Sequence, residues 1–220
     1  MTLRPISRTI ALAICLTGVP ALVPAASAQT AATAAAPQQT AGKVVLDSSS
    51  RIIATLEKRR SEFQASPAAL KQYVNSEFDR LFDRDYAARL VLGVHGRGAA
   101  DTEVKLFADA MAENLMGRYG TSLLDFDDKL RVRVKSETPL PGGRGVRVAS
   151  EFLRSNGAPV PVDYLMRNTG GQWKVFDVMV EGISYVQTFK TQFDAPLRQK
   201  SIAQVAADLR NGNLQAGGSN

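Results

Sequence analysis

The sequence has little of what most enzymes use. It holds one cysteine, Cys15, one histidine, His95, and one tryptophan, Trp173. A lone cysteine cannot form an internal disulfide, and one histidine excludes zinc sites built on several histidines. No G-x-G-x-x-G or Walker pattern surrounds the glycines at 142 to 145, and no G-x-S-x-G elbow accompanies His95. Asp125, Asp127 and Asp128 in "LDFDDK" lack the spacing and the glycine of an EF-hand loop. No basic run is present, so nucleic acid is not an expected partner.

Long apolar runs are scarce too. The one candidate, Thr9 to Val23, is interrupted by Gly18 and Pro20 and falls short of the ~20 residues needed to cross a bilayer. With Arg4 and Arg8 before it and Ala26-Ser27-Ala28 after it, the run reads as a cleavable signal peptide over residues 1–28. Ile14 is a poor residue to precede a lipidated cysteine, so Cys15 reads as part of the apolar run. Cleavage would remove the cysteine, and with it any Cys-His dyad. Loss of Arg4 and Arg8 would take the formal charge from +6 to +4. Residues 29–43 are rich in Ala, Thr, Gln and Pro and read as a disordered linker. Residues 211–220 read as a disordered tail. The 44–210 segment remains as a single domain.

That segment has two halves. In the first, Ile52, Ile53, Leu56 and Phe63 form an amphipathic stripe. Ser66-Pro67 opens a second helix with Leu70, Tyr73, Val74, Phe78 and Leu81 on its buried face. A short helix is closed by Gly93, and a longer one follows a cap expected at Asp101, with Val104, Phe107, Met111, Leu115 and Tyr119 three or four apart. The second half alternates. Strands are expected over 130–136, 145–154, 160–168 and 172–180, joined by Gly-rich turns. One strand phase gathers Val132, Val134, Val146, Val148, Phe152, Val162, Tyr164, Met166, Phe176, Val178 and Val180. The other carries most of the charge, including Arg131, Arg133, Lys135 and Arg147, a basic set suited to acidic partners or headgroups. After the strands, Ile183, Val186, Phe189 and Phe193 keep helical spacing, and a final helix is expected to start near Asp194 and Pro196. The expected fold class is α+β, a four-stranded antiparallel meander with helices on its apolar face. An apolar sheet face under helices fits a packed core as well as a cavity, and the residues leave both open.

The run "VPVDYLMRNTGGQWKVFDVMVEGISYVQTFKTQF" decides between them by resemblance. Pro161, Asp163, Tyr164, Gly171, the Trp173-Lys174-Val175-Phe176-Asp177-Val178 string, Glu181, Gly182, Ser184, Gln187, Phe189, Gln192 and Phe193 together resemble the MlaC-like, or toluene-tolerance, family of periplasmic phospholipid-binding proteins. "FDRDYAARLVLG" and the helix ending at Tyr119 are similar to it as well, and the resemblance spans residues 44–210. It implies a nuclear-transport-factor-like sheet with helices around an apolar lipid cavity. The lining would comprise Phe107, Met111, Leu115, Tyr119, Val146, Val148, Val162, Tyr164, Met166, Phe176, Val178, Val180, Val186 and Phe189. It implies no cofactor beyond a bound phospholipid ligand and no catalysis. It also implies a periplasmic carrier whose partners are an outer-membrane lipoprotein complex and an inner-membrane ABC lipid transporter complex. Three alternatives stay open: a hopanoid-associated relative carrying a polycyclic lipid, a cavity enzyme of this fold using Asp177 or His95 as base, and a purely structural adaptor.

Overall fold

The computed structural model describes residues 39–125 and 130–217. The expected signal peptide, the linker up to residue 38, and Asp127 and Asp128 lie outside the described residues.

Seven α-helices are described: α1 (Ala41–Lys58), α2 (Arg60–Ala65), α3 (Pro67–Leu81), α4 (Arg84–Leu92), α5 (Asp101–Tyr119), α6 (Tyr185–Gln199) and α7 (Ile202–Arg210). Between α5 and α6 run β1 (Arg131–Pro139), β2 (Val146–Leu153), β3 (Val160–Thr169), β4 (Gln172–Val180) and β5 (Ile183–Ser184). The strands form one antiparallel sheet in the order β1-β2-β3-β4-β5. The four expected strands are present. The fifth is a two-residue addition made where Glu181 and Gly182, both at positive φ, fold Ile183 back beside Val180. Ile183 is therefore a strand residue, 65% exposed, rather than the first apolar position of a helix.

Local chemistry sets the boundaries. Thr40 caps α1 by accepting from the Lys43 N–H, so the helix begins inside the expected linker, three residues before position 44. Ser66 accepts from the Ala69 N–H with Pro67 in the first turn of α3. Ala100 stands at the cap position of α5 and Asp101 is its first helical residue, with Glu103 accepting from the Ala100 N–H. No helix starts at Asp194. Instead α6 continues through Pro196 to Gln199, and α7 starts at a reciprocal Ser201–Gln204 cap. Pro196 has no N–H to give the Gln192 carbonyl, so α6 loses that bond yet runs on to Gln199 before it breaks.

The apolar interior of the described residues divides into three clusters. One joins α4, α5, α6 and α7 around Phe107 and Phe193, whose rings meet edge-on at 5.4 Å. The second joins one sheet face to Ala41 and Val45 of α1 and Leu81 of α3. The third packs Leu56, Phe63, Leu70, Val74 and Leu124 together.

The segment after α7 is not a loose tail as far as Gly217. The Asn114 amide donates to the carbonyls of Leu209 (2.7 Å) and Leu214 (3.1 Å) and accepts from the Ala216 N–H (2.9 Å). Gln192 accepts from the Gly217 N–H, and Ala216 is fully buried.

Candidate functional site

The site expected from the sequence centres on the sheet face that α1 crosses. Val148, Val162, Tyr164 and Met166 converge there, and Tyr164 stands opposite both Val148 and Val178. Around this buried centre lies an apolar margin that is only half covered: Val134, Val146, Phe152, Val160, Trp173, Val178 and Val180. Two polar groups within the face are satisfied locally. Ser150 donates its hydroxyl to the Val162 carbonyl at 2.6 Å, and Tyr164 is hydrogen-bonded to Ser49 of α1. Burial pushes the Tyr164 phenol above its ordinary pKa, so it stays neutral.

One predicted member points the other way. The register of β3 against β4 shifts between Leu165 and Met166, pairing Leu165 with Asp177 but Met166 with Val175. The extra residue is Phe176. A bulge turns the side-chain alternation over by one position. Val175 is consequently fully buried in the sheet cluster with Trp173 against it, while Phe176 is absent from that cluster and meets the Tyr86 ring edge-on at 5.3 Å. Strict alternation puts Trp173 and Val175 on the charged face, and the bulge corrects it. Strand alternation also says nothing of the α1 residues Ala41, Val45, Ser48 and Ser49, although Val45, Ser48 and Ile52 already repeat at helical spacing.

The helical members gather elsewhere. Phe107, Val186 and Phe189 are buried in the four-helix cluster, with Met111 and Leu115 packed against it. Tyr119 is 40% exposed and donates its hydroxyl to the Gly217 carbonyl at 2.7 Å. The fourteen expected residues thus fall into a sheet group and a helix group, with Tyr119 and Phe176 outside both.

The groups considered for chemistry do not converge. Asp177 is buried and caps α6, accepting from the Ser184 hydroxyl at 2.5 Å and from the Val186 N–H at 3.0 Å. His95 is not a free loop histidine: its Nε2 lies 2.9 Å from Asp194 Oδ1 on α6. The basic strand residues are largely paired. Arg133 and Lys135 share Glu151, and Arg147 bonds Asp163. No group of three metal-ligating side chains occurs among the described residues. A polar cleft of about 570 Å³, lined by Lys71, Glu113, Arg118 and Arg210 among others, shares no residue with the sheet face.

The profile of the MlaC protein family matches residues 47–211. The chain belongs to the MlaC family. It is 27% identical over 156 residues to the toluene tolerance protein ttg2D of Pseudomonas putida, covering 70% of this chain and 72% of that one. It is 21% identical over 140 residues to the intermembrane phospholipid transport system binding protein MlaC of Haemophilus influenzae, covering 62% of this chain and 65%, just under two thirds, of that relative. A solved phospholipid-binding protein from Ralstonia solanacearum, in complex with a phospholipid, shares the fold at a TM-score of 0.68 and 20% identity, over 80% of this chain and 98% of that one. Within this MlaC-family chain, the buried Asp177 of the Trp-Lys-Val-Phe-Asp-Val string serves the architecture by joining the last long strand to the helix behind it.

Proposed function

We propose that the protein is a periplasmic phospholipid carrier that holds acyl chains against the inner face of the sheet, between it and the helices. The observation that carries this reading is the divided interior. A compact domain usually has one contiguous core. Here three clusters stand apart, and the apolar margin of the sheet face, from Val134 to Val180, is half covered by protein. Acyl chains would complete that interior. The lining residues proposed are the half-covered Val146, Trp173, Val178 and Val180, over a packed floor of Val148, Val162, Tyr164, Met166 and Val175. Phe107, Met111, Leu115, Val186 and Phe189 bound the space from the helical layer.

The energetics suit a carrier without covalent chemistry. Burial is worth about 0.8 kcal/mol per methylene, so two acyl chains of roughly 30 methylenes in all would cost more than ~20 kcal/mol to hold in water. Only an apolar enclosure offsets that. The carrier would pass lipid between an outer-membrane lipoprotein complex and an inner-membrane ABC transporter complex. No described helix is long and apolar enough to cross a membrane. Organic extraction and mass spectrometry of the purified protein test the reading. Stoichiometric diacyl phospholipid is the expected result, and a polycyclic lipid or an empty protein would overturn it.

A further inference from the structure

At one end of the sheet, where β2 begins and β3 and β4 are joined, a cleft of about 430 Å³ is lined by Tyr86, Arg144, Arg167, Asn168, Trp173 and the glycines at 143 and 145. Its free side-chain polar groups can all donate, the Tyr86 hydroxyl among them. The Arg144 Nε donates to the Pro141 carbonyl at 3.1 Å, which leaves its two terminal NH₂ groups without an acceptor among the described residues. Asn168 uses its carbonyl oxygen to accept from the Gly171 N–H, which leaves its NH₂ to donate. The Trp173 indole N–H likewise has no acceptor among the described residues. No carboxylate lines the cleft among the described residues, and Arg167 is already bonded to Asp83 behind it at 2.6 Å, its guanidinium 4.0 Å over the Tyr86 ring. Arg144 therefore leaves a net positive charge.

The backbone beside the cleft is a short 3₁₀ turn over Pro141–Gly143, which Gly142 and Gly143 make possible with φ of 69° and 66°. No atom lies within 4 Å of where a Cβ would stand at either glycine, so that side of the turn is open. Gly145 holds the turn down: a Cβ there would lie 1.9 Å from the Met166 carbonyl oxygen, so only glycine brings the chain this close to β3.

We infer that this cleft is an anion site that takes a phosphate group, namely the phosphodiester of a lipid whose acyl chains run onto the inner sheet face. The inference rests on the carrier reading for its lipid. What ties the two is Trp173, which lines the cleft and also packs against the sheet cluster. Unpaired donors, one surplus charge and an indole at an apolar margin match a phosphate on a hydrophobic tail. A guanidinium and an amide recognise the oxygens, and the ring covers the junction.

Trp173 is the only tryptophan, so its fluorescence reads this cleft directly. The purified protein is titrated with inorganic phosphate, and separately with vesicles of phosphatidylglycerol or of phosphatidylcholine doped with diacylglycerol. A saturable change with phosphate is expected, with a midpoint about tenfold higher in Arg144→Gln and partly restored in Arg144→Lys. Equal midpoints in wild type and Arg144→Gln, or no saturable change, overturn the site. Loading of phosphatidylglycerol in preference to diacylglycerol, read by native mass spectrometry and lost in Arg144→Gln, supports the lipid assignment. Phosphate binding with equal loading of both lipids overturns that assignment and leaves a free-phosphate site. Absence of any lipid from the wild type defeats the carrier reading alone, because the phosphate titration still reports on the cleft.

Discussion

Glu77 occupies the apolar stripe of α3, between Val74 and Leu81, and meets Arg51 of α1 at 2.6 Å. The carboxylate is nearly buried and the guanidinium is 38% exposed along its side chain. The pair stands between the sheet cluster, which includes Leu81, and the cluster holding Val74. Removing only Arg51 leaves the nearly buried carboxylate with just the longer, exposed Arg80 contact at 3.8 Å, whereas removing both partners leaves no such charge. Arg51→Met should cost about 1–3 kcal/mol in urea unfolding, and the double variant with Glu77→Leu should recover much of it. Equal destabilisation of single and double variants would show that packing, not charge, holds the helices together.

Val148 and Val178 lie near each other on the same sheet face but differ in cover: the first is fully buried, the second half-buried. Val148→Trp should overpack the centre and cost about 1–3 kcal/mol or more. Val178→Trp should instead fill the space proposed for acyl chain, lowering bound lipid by native mass spectrometry with little change in Tm. If both variants lose stability alike, the margin is ordinary core.

Asp177→Asn leaves one acceptor oxygen and no charge at the start of α6. A buried carboxylate bonded to a hydroxyl and a backbone N–H is worth about 1–3 kcal/mol. Thermal unfolding should show a loss of that order with lipid content retained. Retained stability with loss of function would instead give Asp177 a chemical role.

The Asp194 carboxyl is held below its ordinary pKa first by the His95 hydrogen bond and then by Arg198. A depressed folded-state pKa means that its stabilisation is fully present above the unfolded value, near 3.9, and fades as pH falls through the folded one. Asp194→Asn should therefore lower stability at neutral pH, and the gap to wild type should close below about pH 4. A gap independent of pH would show that the contact is steric.

The fold is legible in the sequence wherever a local rule governs. The helix start at Ser66-Pro67, the strand alternation on β2 and β3, and the Gly-rich turns each state their structure in a few residues. The site is legible only in part. The Phe176 bulge depends on register against β3, which no single strand encodes, so Val175 and Phe176 exchange faces. The α1 contribution is hidden because alanine, glycine and serine pack closely at Ala41, Gly42, Ser48 and Ser49 without an apolar signature. Helical spacing places Phe107 and Phe189 on buried faces correctly, yet cannot tell that their cluster is separate from the sheet's.

The burial of Ala216 also bears on how the protein should be handled. An affinity tag joined after Asn220 would begin five residues beyond a side chain sealed among four helices, and would pull on the bonds that Asn114 and Gln192 make there. Cleaving such a tag with an exopeptidase that runs past its stop would remove those bonds and loosen α7 from α5. A tag placed ahead of Thr40, before the cap of α1, leaves that closure untouched.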